Sequence, residues 1–299
     1  MTDQQPLHTP RSLIVTFYGA FGRGRADQAD QRAAPPVPIA ALIRLLAAVG
    51  VDSPSVRSAV SRLKRRGLLV PDRTPEGAAG YGLSDAARQL LDDGDRRIYG
   101  RVASRSGGGW LLAVFSVPEE ERHKRHLLRS RLSRLGFGTA APGVWIAPAH
   151  VHDETRHTLE RLELASYVDL FRGSHLGFEP TAEAVARWWD LDALAAQHRA
   201  FLQVHEPVLH RWARRRAVPP RDAYRDYLLA LDSWRRLPYA DPGLPVALLP
   251  TDWPGARAAR VFTALHARLR DAGARFVNEE TGAAAGTGGT GSAAGVAGG

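Results

Sequence analysis

The sequence predicts an α+β multidomain chain. A winged helix-turn-helix domain is expected over residues 1–100, a ferredoxin-type α/β sandwich over 101–178, a helical domain over 179–280, and a disordered tail over 281–299. Three observations predict this order. Ser53 to Gly67 reads as a basic amphipathic helix that follows another helix after a short turn. Strands then alternate with helices between Trp110 and Gly173. Beyond Glu179 the apolar spacing becomes helical throughout.

The N-terminal elements follow from spacing and punctuation. Residues 10–21 (PRSLIVTFYGAF) place Leu13, Ile14, Phe17, Tyr18 and Phe21 at helical intervals. Residues 22–37 are polar and rich in Gly and Pro, hence a loop. Pro38 is expected to open a second helix, with Ile39, Leu42, Ile43, Leu46 and Val49 on one side and Gly50 as its stop. Ser53 reads as an N-cap, Pro54 as the first helical residue and Gly67 as the terminator of the third helix. After it, LLVPDR and YGL flank the turn segment TPEGAAG, which gives a two-stranded wing. Ser84 caps a last helix over 85–93, with Ala86, Ala87, Leu90 and Leu91 expected inward.

The third helix has two unlike faces. Val56, Ala59, Val60 and Leu63 form an apolar stripe, while Arg57, Ser58, Ser61, Arg62 and Arg65 spread over about 140° on the other side. Within Ser53 to Gly67 there are five Lys or Arg residues and no acid. Such a face suits a DNA major groove, where arginine reads guanine edges and other cations neutralise phosphate. An ordinary solvated basic face is the competing reading. The order helix, helix, turn, basic helix, hairpin, helix favours DNA, with Ser55, Arg57, Ser58, Ser61, Arg62, Arg65 and Arg66 as contact candidates. Arg73 at the wing base is a candidate for backbone phosphate.

Residues 100–109 read as a flexible linker. The continuous apolar run WLLAVFSV (110–117) suits a buried strand. Residues 119–137 then form a helix with acids leading, bases trailing, and Leu127, Leu128, Leu132 and Leu135 on its core side. GVWIAP is a second strand, 152–164 a second helix and YVDLFRG a last strand. In the C-terminal segment Val185, Trp188, Trp189, Leu194 and Phe201 are expected along one helix, and Tyr224, Tyr227, Leu228, Leu231 and Trp234 along another. The prolines of DPGLPVALLPTDWPG favour an extended cover over regular structure. A final helix carries Val261, Phe262, Leu265 and Leu269.

The totals restrict the chemistry. The chain has 299 residues, 44% of them hydrophobic, and no cysteine, which excludes disulfides, thiolate zinc sites and cysteine nucleophiles. A formal charge of +9 makes polyanions the default partner class. Only Lys64 and Lys124 among the 40 cationic residues are lysine. This skew suits bidentate phosphate contacts and is equally a mark of a GC-rich genome. No signal-peptide layout or spanning apolar run is seen, so a soluble, cytoplasmic protein is expected.

Several segments resemble the PaaX family of transcriptional repressors. These are PRSLIVTFYGAF, LIRLLAAVGVDSPSVRSAVSRLKRRGLL, YGLSDAARQLL, WLLAVFSVPEEERHKRHLLRSRLSRLGFG and DPGLPVALLPTDWPG. The resemblance runs from about Pro10 to Val277. It implies a winged helix, a middle domain like the CRISPR-associated Cas2 protein, and a helical C-terminal domain. It also implies a homodimer on a palindromic operator of aromatic-acid (phenylacetate-type) catabolic genes, released by phenylacetyl-coenzyme A or a related acyl-coenzyme A. The family's recognition helix falls on Ser53 to Gly67. The departure lies in residues 22–37, where the family has an aromatic-rich strand and this chain has AAPPVP.

The remaining site candidates each have a plain structural reading beside the functional one. Trp188, Trp189, Trp212, Tyr224, Tyr227 and Trp234 are either core or the walls of an aryl-acyl pocket, with Arg214, Arg215 and Arg216 near the coenzyme phosphates. A metal-dependent nuclease is the alternative function suggested by a Cas2-like fold. However, the first middle-domain strand ends Phe115, Ser116, Val117, with no carboxylate before Glu119. His150, His152, Asp153 and His157 read as a polar loop and first helical turn in preference to a metal site. HEPVLH (205–210) is too long for the H-E-x-x-H zinc motif, and Pro207 is expected to break the helix. No cofactor and no enzymatic activity are expected.

Overall fold

In the computed structural model, residues 8–23, 35–75, 77–99 and 108–282 are described. The expected tail beyond 282 and most of the expected linker lie outside these residues. The chain divides into two compact units, one of residues 1–89, 214–229 and 265–299, the other of 90–213 and 230–264. The boundaries thus cut across the expected helical domain and assign its parts to both units.

In the first unit, helices α1 (Pro10–Ala20), α2 (Ile39–Ala47) and α3 (Ser53–Arg65) pack against one another. Leu13, Ile14 and Phe17 of α1, Leu42, Leu45 and Leu46 of α2, and Val56, Val60 and Leu63 of α3 are all buried. A three-stranded antiparallel sheet of β1 (Val37–Pro38), β2 (Leu69–Arg73) and β3 (Ala79–Leu83) runs in the order β1-β3-β2. Pro38 therefore ends a strand; it does not begin the helix, which starts at Ile39. Pairing with β3 is possible because Gly80 has no Cβ, since one there would meet the Val37 carbonyl oxygen at 2.7 Å. The buried Tyr18 hydroxyl donates to the Tyr81 carbonyl at 2.8 Å and ties α1 to this sheet.

The C-terminal part of this unit continues the same core. Phe21 lies 5.8 Å from both Tyr224 and Tyr227, and Tyr224 lies 5.4 Å from Phe276. These come from α9 (Pro220–Trp234) and α11 (Gly255–Thr281). Helix α4 (Asp85–Tyr99) runs six residues beyond the expected end, through Gly94. Ala87 is buried as expected, whereas Leu90 is 46% exposed and Ala86 is exposed, so the inward face of α4 differs there from the expected one.

The second unit is built on a four-stranded sheet in the order β5-β6-β4-β7, with every neighbour antiparallel. Its elements are β4 (Trp110–Phe115), α5 (Arg122–Arg134), β5 (Gly138–Ala141), β6 (Val144–Pro148), α6 (His152–Arg161) and β7 (Val168–Gly173). This is the β-α-β-β-α-β arrangement, with one strand, β5, more than the sequence suggested. Its GTAA has no β-branched run to mark it beyond one threonine. Residues 119–121 form a 3-10 turn before α5 begins. The unbroken apolar run of β4 has a direct cause: Leu111 and Ala113 pack with Leu132 and Leu135, while Trp110 packs with Val185 and Trp189 on the other face.

The helix expected to carry both Trp188 and Phe201 is two helices, α7 (Thr181–Trp188) and α8 (Leu191–Ala213). Trp189 is extended, and the Asp190 side chain accepts from the Ala193 amide at 2.9 Å, capping α8. Trp189 turns onto the sheet, where its indole donates to the Gly136 carbonyl at 3.0 Å. A Cβ on Gly138 would lie 2.8 Å from that indole, so glycine is required for this approach. Pro207 lies inside α8 without ending it. The residue is exposed, and so is Gln203, whose carbonyl loses its helical donor and can turn to water. A one-turn helix, α10 (Leu237–Ala240), leads into the proline-rich stretch before α11, which is mostly irregular apart from a 3-10 turn over Val246–Leu248. It is pinned by Asp241, whose buried carboxylate lies 2.9 Å from the His198 ring.

Candidate nucleic-acid interface

The turn before α3 is set by two left-handed or capping positions. Gly50 has φ +84°, and the Val51 amide donates back to the Leu46 carbonyl at 3.0 Å. Asp52, not Ser53, is the N-cap of α3: its carboxylate accepts from the Ser55 amide at 2.8 Å and from the Ser55 hydroxyl at 2.9 Å. Those two bonds, the backbone one first, hold the Asp52 carboxyl below the usual carboxylate range. Gly67 at φ +67° ends the helix. Ser84 then bridges to α4, donating to the Gly67 carbonyl at 2.7 Å and accepting from the Ala87 amide at 3.1 Å.

This frame leaves one face of α3 open. Arg57, Ser58, Ser61, Arg62, Lys64, Arg65 and Arg66 are exposed, while Val56, Ala59, Val60 and Leu63 are at most 2% exposed. Among the described residues none of these cations forms an ion pair. Two predicted residues differ from this picture. Ser55 is half-buried and its hydroxyl is committed to Asp52. Arg73 donates to the Gly77 carbonyl at 2.8 Å, bracing the β2–β3 turn, in which Thr74 accepts from the Ala78 amide.

Most of the aromatic candidates pack against other rings within their own unit. Trp188 and Trp189 pack on Trp110, with ring centroids 5.5 and 5.9 Å away. Trp234 stacks on Phe262 at 4.8 Å and donates to the Ile98 carbonyl. Tyr224 belongs to the Phe21–Phe276 cluster, and Trp212 is fully buried. Tyr227 approaches His266, its hydroxyl 3.0 Å from Nδ1. Arg214 and Arg216 are exposed, and Arg215 pairs with Asp222 at 3.2 Å. Aromatics at helical spacing fill core here.

A cavity of about 520 Å³ opens at the C-terminal end of β4, lined by Ser116, Arg125, Arg129, Thr139 and Trp145 among others, and no carboxylate among the described residues lines it. Glu119 is turned to Arg125 at 3.2 Å. This end of the strand offers a divalent cation no anionic oxygen set. His152 contacts Asp153 at 2.8 Å, and among the described residues no group of three His, Asp or Glu is placed to hold a metal.

Sequence reasoning missed a clamp on the other side of this domain. The Arg97 Nε is 2.7 Å from both Glu154 oxygens, and its terminal nitrogens donate to the Arg134 and Leu135 carbonyls. Its guanidinium lies 5.4 Å from the Tyr239 ring centre. An arginine in a polar helical stretch carries no sequence signal for such a role.

The open basic face of α3 makes the first unit a candidate nucleic-acid-binding unit. Models of three family segments match in order: a PaaX-like protein segment over residues 9–87, the PaaX protein central Cas2-like domain over 103–185, and the PaaX-like protein C-terminal domain over 189–279. The chain belongs to the PaaX family. It is 28% identical over 276 residues to the transcriptional repressor PaaX of Escherichia coli K12, covering 90% of this chain and 83% of that protein. It also resembles the solved structure of the uncharacterized protein Rv0674 from Mycobacterium tuberculosis, at 25% identity and a TM-score of 0.55, over 89% of this chain and 99% of that one. No helix among the described residues is long and apolar enough to cross a membrane.

Proposed function

We propose that this protein is a DNA-binding transcriptional repressor whose first unit is a winged helix-turn-helix domain with α3 as its recognition helix. The open, unpaired cationic face of α3 carries this reading. Six exposed side chains there (Arg57, Ser58, Ser61, Arg62, Arg65 and Arg66) can donate to base edges or phosphates. The apolar stripe behind them holds the helix to its own core. The repressor name of the Escherichia coli relative supports the same assignment.

The finer reading extends this to a homodimer on a palindromic operator of aromatic-acid catabolic genes, in the cytoplasm. Its half-sites would be about 34 Å apart or a multiple of that. An aryl- or acyl-coenzyme A ester such as phenylacetyl-coenzyme A would release it by preferring a conformation that misplaces the recognition helices. Support for these points is the family resemblance. A mobility-shift titration of the chain's own upstream region at about 0.15 M salt tests the reading. Binding far above that to random duplex, and its loss on adding phenylacetyl-coenzyme A, are expected. Equal binding to both duplexes removes the repressor reading.

A further inference from the structure

A second, smaller cavity of about 190 Å³ lies beside helices α5 and α6 in the second unit. Three arginines line it: Arg131 and Arg134 from the last turn of α5, and Arg161 from the last turn of α6. Among the described residues none of the three forms an ion pair, whereas Arg97, Arg125 and Arg156 of the same domain are each held by a glutamate. The Nε of Arg131 is buried with no hydrogen-bond partner. Burial first, and then the charges of Arg134 and Arg161, lower the pKa of Arg131. A helix C-terminus favours a nearby cation, yet it does not explain a buried guanidinium nitrogen left without an acceptor.

We propose that this cavity binds a small phosphate group, as inorganic phosphate or as the head of a phosphomonoester, through the convergent guanidinium groups of Arg131, Arg134 and Arg161. A dianion matches this charge better than a carboxylate, and guanidinium forks suit tetrahedral oxyanions. His157 and Thr158, which also line the cavity, supply further polar groups. The volume falls below the range typical of whole-ligand pockets, so it fits a headgroup with the rest of the molecule outside. Of the acids on the lining, Glu154 is held by Arg97 and Asp153 contacts His152, so neither is turned to the three arginines. The inference goes beyond the repressor reading and does not depend on DNA binding.

Calorimetric titration of the full chain with inorganic phosphate, glycerol 3-phosphate and glycerol tests it, alongside thermal unfolding with each. Saturable binding of one or both phosphates, none of glycerol, and a raised Tm are expected. A preference between the phosphates identifies free ion or ester as the occupant. Arg131→Met removes a desolvated, mutually repelled charge, so its Tm without phosphate should rise, while phosphate affinity falls by about tenfold or more. Arg161→Gln should weaken binding without that rise, and Arg122→Met, on the exposed side of α5, should change neither. Three results would overturn the proposal: a phosphate effect no larger than chloride at equal ionic strength, affinity retained in both Arg131→Met and Arg161→Gln, or competition by random duplex DNA equal to that by glycerol 3-phosphate.

Discussion

Arg57→Ala separates recognition from folding most cleanly. Arg57 lies near the start of α3, is exposed and makes no ion pair among the described residues. Its removal leaves no buried acceptor behind. Alanine is the better helix former, and a cation near a helix N-terminus is slightly unfavourable. Folded stability should therefore stay within about 0.5 kcal/mol of the parent or rise. A base-reading arginine is worth about 1–3 kcal/mol, or about 5- to 150-fold in Kd. Fluorescence anisotropy on a labelled upstream duplex reads the affinity, and thermal unfolding reads the stability. A loss of affinity confined to the specific duplex supports base readout. Unchanged affinity on specific and random duplexes alike would refute the reasoning.

Other outcomes follow from the same geometry. Arg65→Ala should weaken specific and random DNA alike and reduce the slope of log K against log salt by about 0.9, measured by anisotropy across a salt series. Gly80→Val should cost about 1–3 kcal/mol in urea unfolding, because its Cβ would collide with the Val37 carbonyl. Trp234→Ala should cost about 3–5 kcal/mol, as expected of the stacked core residue it is; an intact Tm with lost effector response would reverse that assignment. The Asp52 carboxyl has a lowered folded pKa, so its stabilisation is complete above the unfolded value of about 3.9 and is lost as pH falls through the folded one. Unfolding curves from pH 6 to about 2.5 should show that component in the parent and not in Asp52→Ala.

What was legible in the sequence depended on whether local pattern alone determined the structure. The stripe of Val56, Ala59, Val60 and Leu63 could be read because a 3.6-residue period and two flanking glycines specify α3 without reference to distant residues. The apolar run of β4 was readable because both faces of that strand are covered. Strand β1 was not, since two residues ending in proline become a strand only through the bare backbone of Gly80 across from them. The break at Trp189 had a signal in Asp190, the capping residue of α8, but the aromatic spacing on either side resembled one continuous helix. Pro207 does not end α8, because a proline on a solvated helix face leaves a carbonyl that water can satisfy. The aromatic candidates were ambiguous in principle, because spacing does not distinguish a core stripe from a pocket wall. The unpaired arginines around the small cavity come from two helices about 30 residues apart in the chain, so only the fold brings them together.

Because the chain has no cysteine, a single Ser61→Cys substitution places one label on the open face of α3, and Ser166→Cys places one on an exposed position of the second unit. Photocrosslinking each labelled protein to a duplex of the upstream region asks directly whether α3 enters the groove. Adducts on bases of a defined half-site from position 61, and none above background from position 166, are predicted. Adducts from position 61 no more frequent than from position 166, under conditions in which the duplex is bound, would contradict the assignment of α3 as the recognition helix.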